Sequence, residues 1–297
     1  GMVNTRLEWW TREGRFLSAV PLPTGSWNPR GISPDGRQVL LLRTASFSET
    51  DIWRLDLMNG QASRLTFAPT QVRGSAIWAP DGNRIAYGSS PIGPEQLFIQ
   101  PTSGGPPRLL YGSDVALKNM YSWTPDGKFV VFEAPDPRTG WDVWAAPVEG
   151  TPVPVPVVRT PANESGGWIS PDGRWLAFAS DESGRFELYV QAFPGPSEHV
   201  PVPGSSTSGN DGAGPCWWTR DGREIMFLAA NQLRVAPVEA GATIRIGPSR
   251  LLFPLPEGGL GACPAPDHDR IMVAVPVARV ARAATVIDMN WASEIHR

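Results

Sequence analysis

The residues in this chain that could perform chemistry are few and far apart. It has only three histidines, His199, His268 and His296. A metal centre on a β scaffold needs several imidazole or carboxylate ligands converging on one point. The sequence puts His199 in an outer strand, His268 in a turn and His296 next to the end of the chain, so convergence is not expected. No metal or other cofactor is expected on that basis. A Ser–His–acid triad on a nucleophile elbow would show the pattern Gly-x-Ser-x-Gly, which does not occur. Neither a Gly-rich phosphate loop nor a His-Arg-Asp catalytic loop is present. Paired carboxylates are the one catalytic device left, because Glu164, Asp181, Glu182 and Asp211 fall between strand-like segments. A lyase or hydrolase built on such loop acids is therefore the alternative to a binding protein, and a non-enzymatic role is the expectation.

The elements that must position these residues follow from a repeated phrase. It reads Ser33-Pro34-Asp35-Gly36, Ala79-Pro80-Asp81-Gly82, Thr124-Pro125-Asp126-Gly127 and Ser170-Pro171-Asp172-Gly173. Two degenerate copies follow, Thr219-Arg220-Asp221-Gly222 and Ala265-Pro266-Asp267-His268. Successive aspartates are 46, 45, 46, 49 and 46 residues apart. A fixed period of this size marks a repeat architecture. Proline presets φ, aspartate bonds its own backbone two residues on, and glycine accepts the positive φ that closes a tight turn. Each copy thus reads as a hairpin corner.

Apolar runs of strand length follow every corner, such as Val39–Leu42, Phe129–Phe132 and Trp175–Phe178. Third and fourth strands follow in each of the first five units, for example Ile52–Leu55 with Arg64–Phe67, or Val143–Ala145 with Val155–Val158. Four antiparallel strands in about 46 residues, six times over, predict an all-β fold, a six-bladed β-propeller. The chain reads as one domain over 1–297, with blades near 27–67, 72–111, 118–158, 163–202, 211–253 and 260–291. The sixth unit reaches three strands if Thr285–Trp291 is counted as its third. Residues 7–20 belong to no repeat and are expected to close the ring with one or two strands.

Side-chain placement fits this plan. Prolines collect at expected outer strands, in 151–156 and at Pro106-Pro107 and Pro201, where a missing N–H faces solvent and edge pairing is blunted. Of the thirteen tryptophans, Trp78, Trp123 and Trp218 each lie three residues before a turn aspartate, and Trp53 and Trp144 share a third-strand position. Large side chains in register fill the wedges between blades. Cys216 and Cys263 precede their turn aspartates by five and four residues, so they should point to opposite faces as buried free thiols.

The net charge is −3 with no basic run, which argues against nucleic acid or an anionic membrane surface as partner. No apolar stretch approaches the roughly 18 residues of a membrane span, and no targeting signal is visible. Gly1-Met2 reads as an expression scar, so the chain is expected to come from a longer polypeptide. A monomeric domain is expected.

Binding residues are then sought in the loops entering each innermost strand. These carry Asn28 and Arg30; Arg73; Lys118, Asn119 and Tyr121; Asn163 and Glu164; and Asn210 and Asp211. Turn chemistry accounts for the asparagines and aspartates, whereas Arg30, Arg73, Lys118 and Tyr121 are longer than any turn requires. A protein or peptide partner at this channel mouth is the first expectation, and a small ligand the second.

The Pro-Asp-Gly repeat resembles the TolB-type (WD40-like) propeller repeat. Further segments are similar to the propeller appended to bacterial membrane-anchored serine/threonine kinases: Leu7–Gly14, Asp51–Leu57, Thr139–Trp144, Asp181–Arg185, Val190–Pro196 and Asn290-Trp291. The resemblance covers essentially the whole chain. It implies an extracytoplasmic, periplasmic-type sensing or docking module without catalysis of its own.

Overall fold

The structure is a computed structural model and describes residues 3–46, 49–67, 72–90, 93–114, 119–150, 153–206 and 214–277. Among them every regular element is a strand. Strands β1 (Thr5–Thr11) and β2 (Phe16–Ala19) open the chain. Blade one holds β3 (Ser26–Ile32), β4 (Gln38–Ser46), β5 (Glu49–Asp56) and β6 (Ala62–Arg64). Blade two holds β7 (Val72–Trp78), β8 (Arg84–Ser89), β9 (Gln96–Pro101) and β10 (Arg108–Tyr111). Blade three holds β11 (Asn119–Trp123), β12 (Phe129–Asp136), β13 (Gly140–Pro147) and β14 (Val155–Val158). Blade four holds β15 (Glu164–Ile169), β16 (Trp175–Ser180), β17 (Glu187–Ala192) and β18 (His199–Pro201). Blade five has five strands: β19 (Cys216–Trp218), β20 (Glu224–Ala229), β21 (Gln232–Ala240), β22 (Ile244–Ile246) and β23 (Arg250–Pro254). Both β22 and β23 pair with the long β21. Blade six starts with β24 (Gly261–Pro264) and β25 (Arg270–Pro276). The fold is a six-bladed β-propeller.

Ring closure uses two N-terminal strands. β1 pairs with β25 along its whole length, from Thr5 opposite Pro276 to Thr11 opposite Arg270, and β2 lies outside β1. Both edges of β25 are thereby taken, by β24 and by β1. The third-strand place expected for Thr285–Trp291 belongs instead to β1; that segment lies outside the described residues.

The corner phrase works as its chemistry requires. In the first copy the Asp35 carboxylate accepts from the Ser33 hydroxyl at 2.5 Å and from the Arg37 N–H at 3.1 Å, while the Gly36 N–H donates to the Ser33 carbonyl at 2.8 Å. The bonds to Asp35 hold its carboxyl below the usual range. His268, in place of the sixth glycine, still adopts φ +60° and donates the same closing N–H bond, to the Ala265 carbonyl. Neighbouring corners touch in sequence: Gly36 packs beside Pro266, Gly82 beside Pro34, Gly173 beside Pro125 and Gly222 beside Pro171.

The core lies between blades, as apolar faces of neighbouring sheets must bury against each other. One cluster joins Leu40 and Ile52 of blade one, Ile85 and Leu97 of blade two, and Val130 and Phe132 of blade three. The register tryptophans lock the inner strands: Trp78 Nε1 donates to the Gly31 carbonyl and Trp218 Nε1 to the Trp168 carbonyl, each at 2.9 Å. Both cysteines are free and buried, Cys216 among side chains of blades four and five and Cys263 among those of blades six and one. Burial pushes both thiols up, and a thiol that stays protonated is a poor nucleophile. Native protein at pH 8 is therefore expected to react with a disulfide reagent at least a hundredfold more slowly than urea-unfolded protein. Equal rates would show that the thiols are reached without unfolding.

Candidate functional site

Each innermost strand runs from the loop-bearing face to the corner-bearing face. In four blades it carries an irregularity at the same level. The register of β3 against β4 shifts between Pro29 and Gly31, that of β11 against β12 between Met120 and Ser122, that of β7 against β8 between Val72 and Ala76, and that of β15 against β16 between Ser165 and Trp168. A bulge leaves one residue out of the ladder and re-aims its side chain. In blades one and three the residues so released are Arg30 and Tyr121, each five positions before its corner aspartate. At the matching position the other blades carry Ala76, Gly167, Cys216 and Ala262. Gly167 is required there: its φ is +150°, and a Cβ would stand 2.5 Å from Val131.

Arg30 is exposed, and among the described residues its guanidinium has no hydrogen-bond or ion-pair partner. The surrounding strands still strip it of part of its hydration, which pulls its pKa down to about 10, so it stays cationic at neutral pH. Its electrostatic neighbour is Tyr121. Blade two separates the strands bearing these two residues, with β7 packed against both β3 and β11, so the interaction runs across the central channel. The Tyr121 ring meets Trp168 edge-on, with centroids 5.2 Å apart at 71°. Its hydroxyl is turned toward the Glu133 carboxylate and Ser165, and burial beside that carboxylate raises its pKa.

Behind this wall lie polar groups already paired. The buried Glu133 carboxylate accepts from Asn119 Nδ2 at 2.7 Å and from the Gly166 N–H at 3.1 Å. Asn163 is bound by its N–H and Nδ2 to Asp181, both at 2.8 Å. Glu164 bonds the Thr160 hydroxyl and N–H and is fully buried near Asp142, which is itself fully buried. Burial and the neighbouring Asp142 and Asp181 charges lift the Glu164 pKa to about 7. Burial likewise raises Asp142, whose carboxylate accepts from Thr139 at 2.7 Å with Arg159 Nε at 3.7 Å. Asp142 Oδ1 has no donor among the described groups.

The expected site residues thus divide. Asn28, Arg30, Asn119, Tyr121 and Glu164 lie on innermost strands rather than in the loops before them. Arg30 lies open, Asn28 is partly exposed, Tyr121 forms a wall, and Asn119, Asn163 and Glu164 hold the scaffold. Arg73 lies on β7, and nothing is described of its side chain. Lys118, Asn210, Asp211 and His296 lie outside the described residues. His199 is on the outer strand β18, bound to Glu182 at 2.8 Å and packed on Tyr189. Glu133, Asp142 and Trp168 were not singled out by the sequence. The signal for Glu133 is an acid ending the apolar run Phe129–Phe132, and that for Trp168 is the Gly166-Gly167 pair inside a strand. No group of three or more metal-binding side chains occurs among the described residues. On the corner-bearing face, a cleft of about 660 Å³ between blades four and five is lined by Asp172, Arg220, Asp221, Arg223 and Glu239.

A protein assigned as TolB from Agrobacterium tumefaciens superposes with a TM-score of 0.68 at 21% identity, covering 93% of this chain and all of that one. TolB from Acinetobacter baumannii gives 0.58 at 15% identity, over 94% of this chain and 65% of that one. The chain has the TolB-type propeller fold. An oligogalacturonate lyase from Vibrio parahaemolyticus shares the architecture of this TolB-type propeller more distantly, with a TM-score of 0.56 at 13% identity over 88% and 81% of the two chains. An uncharacterized protein of Agrobacterium fabrum is 27% identical over 165 residues, 53% of this chain and 52% of that protein. The chain thus spans about half the length of that curated relative. No family model matches.

Proposed function

We propose that this propeller is a non-catalytic docking module that receives a protein or peptide at the loop-side opening of its channel. The observation that supports the reading is the pair of register shifts that leave Arg30 and Tyr121 out of the sheet ladder in blades one and three. An unpaired guanidinium beside an aromatic pair is the composition of an interface anchor. The TolB-type fold supports a binding role generally. The sequence resemblance to kinase-appended propellers supports a module within a longer extracytoplasmic polypeptide.

A lyase or hydrolase reading would need acids open to substrate. Glu164 is fully buried on β15 and Asp181 holds Asn163, while the exposed Glu182 is bound to His199, which favours the docking reading. The docking reading is tested by photo-crosslinking: a benzophenone amino acid is placed at Asn28 on the loop side, and at Asp221 on the corner side as control. Capture of a partner through position 28 and not 221, lost on joint replacement of Arg30, Arg73 and Tyr121, is the expected result. Equal capture from both faces would end the assignment.

A further inference from the structure

The geometry points to a more specific chemistry for the channel: Arg30, raised on the β3 bulge and facing the Tyr121–Trp168 wall, forms a receptor for a carboxylate monoanion. This deepens the docking reading and rests on it only for the source of the carboxylate. A guanidinium presents a planar fork of donors that matches the two oxygens of a carboxylate. Arg30 has that fork open and, among the described residues, nothing bound to it. The acids nearby are committed elsewhere. Glu133 is held by Asn119 and the Gly166 N–H, and the Tyr121 hydroxyl is directed at Glu133 and Ser165. Tyr121 therefore offers a ligand its ring rather than its proton.

Charge selects among anions. Among the described residues Arg30 is the guanidinium at this wall, with a single positive charge, while blade three holds the buried Glu133 carboxyl group behind the wall. A dianionic phosphate would leave one charge uncompensated in a partly desolvated channel, and a carboxylate would not. Apolar contact completes the site: the Tyr121–Trp168 pair offers an aromatic surface to whatever side chain neighbours the carboxylate. The C-terminal carboxylate of a peptide ending in an apolar residue has this form, as does a free aromatic acid.

The test uses N-acetylphenylalanine, its amide, benzoate and inorganic phosphate, followed through the arginine Nε–Hε resonances of the whole protein. N-acetylphenylalanine is expected to shift one resonance saturably, that resonance being the one missing in Arg30→Gln. The amide and phosphate are expected to bind at least tenfold more weakly. Arg30→Gln should lose tenfold or more in affinity, with Arg30→Lys between it and the parent. Tyr121→Phe, which keeps the ring, should bind the acid within about threefold of the parent. Benzoate binding as well as N-acetylphenylalanine assigns the site to free acids; weaker benzoate binding assigns it to peptide termini. Melting midpoints of the variants confirm that each is folded. Equal binding of acid and amide, phosphate binding as tight as the acid, or full affinity in a folded Arg30→Gln protein would overturn the proposal. Each of those results leaves the crosslinking test of docking untouched, and a carboxylate site that survives while crosslinking fails would remove docking alone.

Discussion

Raising the pH from 5 to 8 is expected to weaken this protein, and replacing one buried carboxyl should abolish most of that loss. Glu164 carries a native pKa of about 7 against an ordinary 4.5. The folded state therefore binds its proton more tightly than the unfolded chain does. The stability this contributes is fully present below about pH 4.5 and disappears as pH rises through 7. Its size is on the order of 3 kcal/mol. Asp142, raised in the same direction, adds to the trend. The corner aspartates act oppositely: Asp35, Asp126 and Asp221 are lowered by their hydrogen bonds, so their stabilisation is present above the ordinary range and lost only in acid. His268, lowered by burial, also opposes the trend, contributing stability that is lost as pH falls. The clean measurement is a difference. Urea unfolding of the parent and of Glu164→Gln at pH 5, 6, 7 and 8 should diverge, the parent falling by about 2–3 kcal/mol relative to the variant. Parallel curves would mean that Glu164 is charged throughout and that its site is wetter than its burial implies.

A larger loss is expected from removing the strands that close the ring. Without residues 1–20, β25 keeps β24 as its one neighbour among the described strands, and its other edge, from Arg270 to Pro276, loses its ladder partner. Leu7, 1% exposed, and Val20 leave the cluster that also holds Trp27, Val39 and Met272. Losing one buried leucine alone costs about 2–5 kcal/mol, and here a whole sheet half departs from a fold whose total stability is about 5–15 kcal/mol. The truncated chain should show no cooperative melting as a monomer, and added peptide 1–20 should restore it in trans. A truncated monomer melting within about 3 °C of the parent would show that β1 and β2 decorate the ring rather than hold it.

The architecture was legible because six corners of one chemistry recur at nearly equal spacing, and each corner fixes its two flanking strands by local bonds. Closure was only half legible. Leu7–Trp10 and Phe16–Val20 look like strands, but Thr285–Trp291 does too, and pairing across the length of the chain leaves no local mark. The candidate site was legible as residue types rather than as geometry. Arg30 and Tyr121 stood out because long polar chains are not needed in turns, yet only the register slips show that both leave the ladder at one level. Glu164 shows the converse. As an acid beside an asparagine it reads as a solvated loop residue, and the structure instead makes it the buried first residue of β15. Burial of that kind depends on blade three packing alongside, which period and composition do not encode. The fifth blade hid its extra strand for a similar reason, since β22 pairs only with the far end of β21.

Pairing the first strand with the last one described also imposes a timetable on biosynthesis. A ribosome adds roughly 5–20 residues per second, so β1 emerges tens of seconds before β25 exists to receive it. Five blades can stack on one another in that interval while the β1–β2 ribbon waits without its partner. Newborn molecules therefore spend that time dependent on whatever shields sticky strands in the cell, and two nascent chains on one messenger are placed to trade their β1–β2 ribbons.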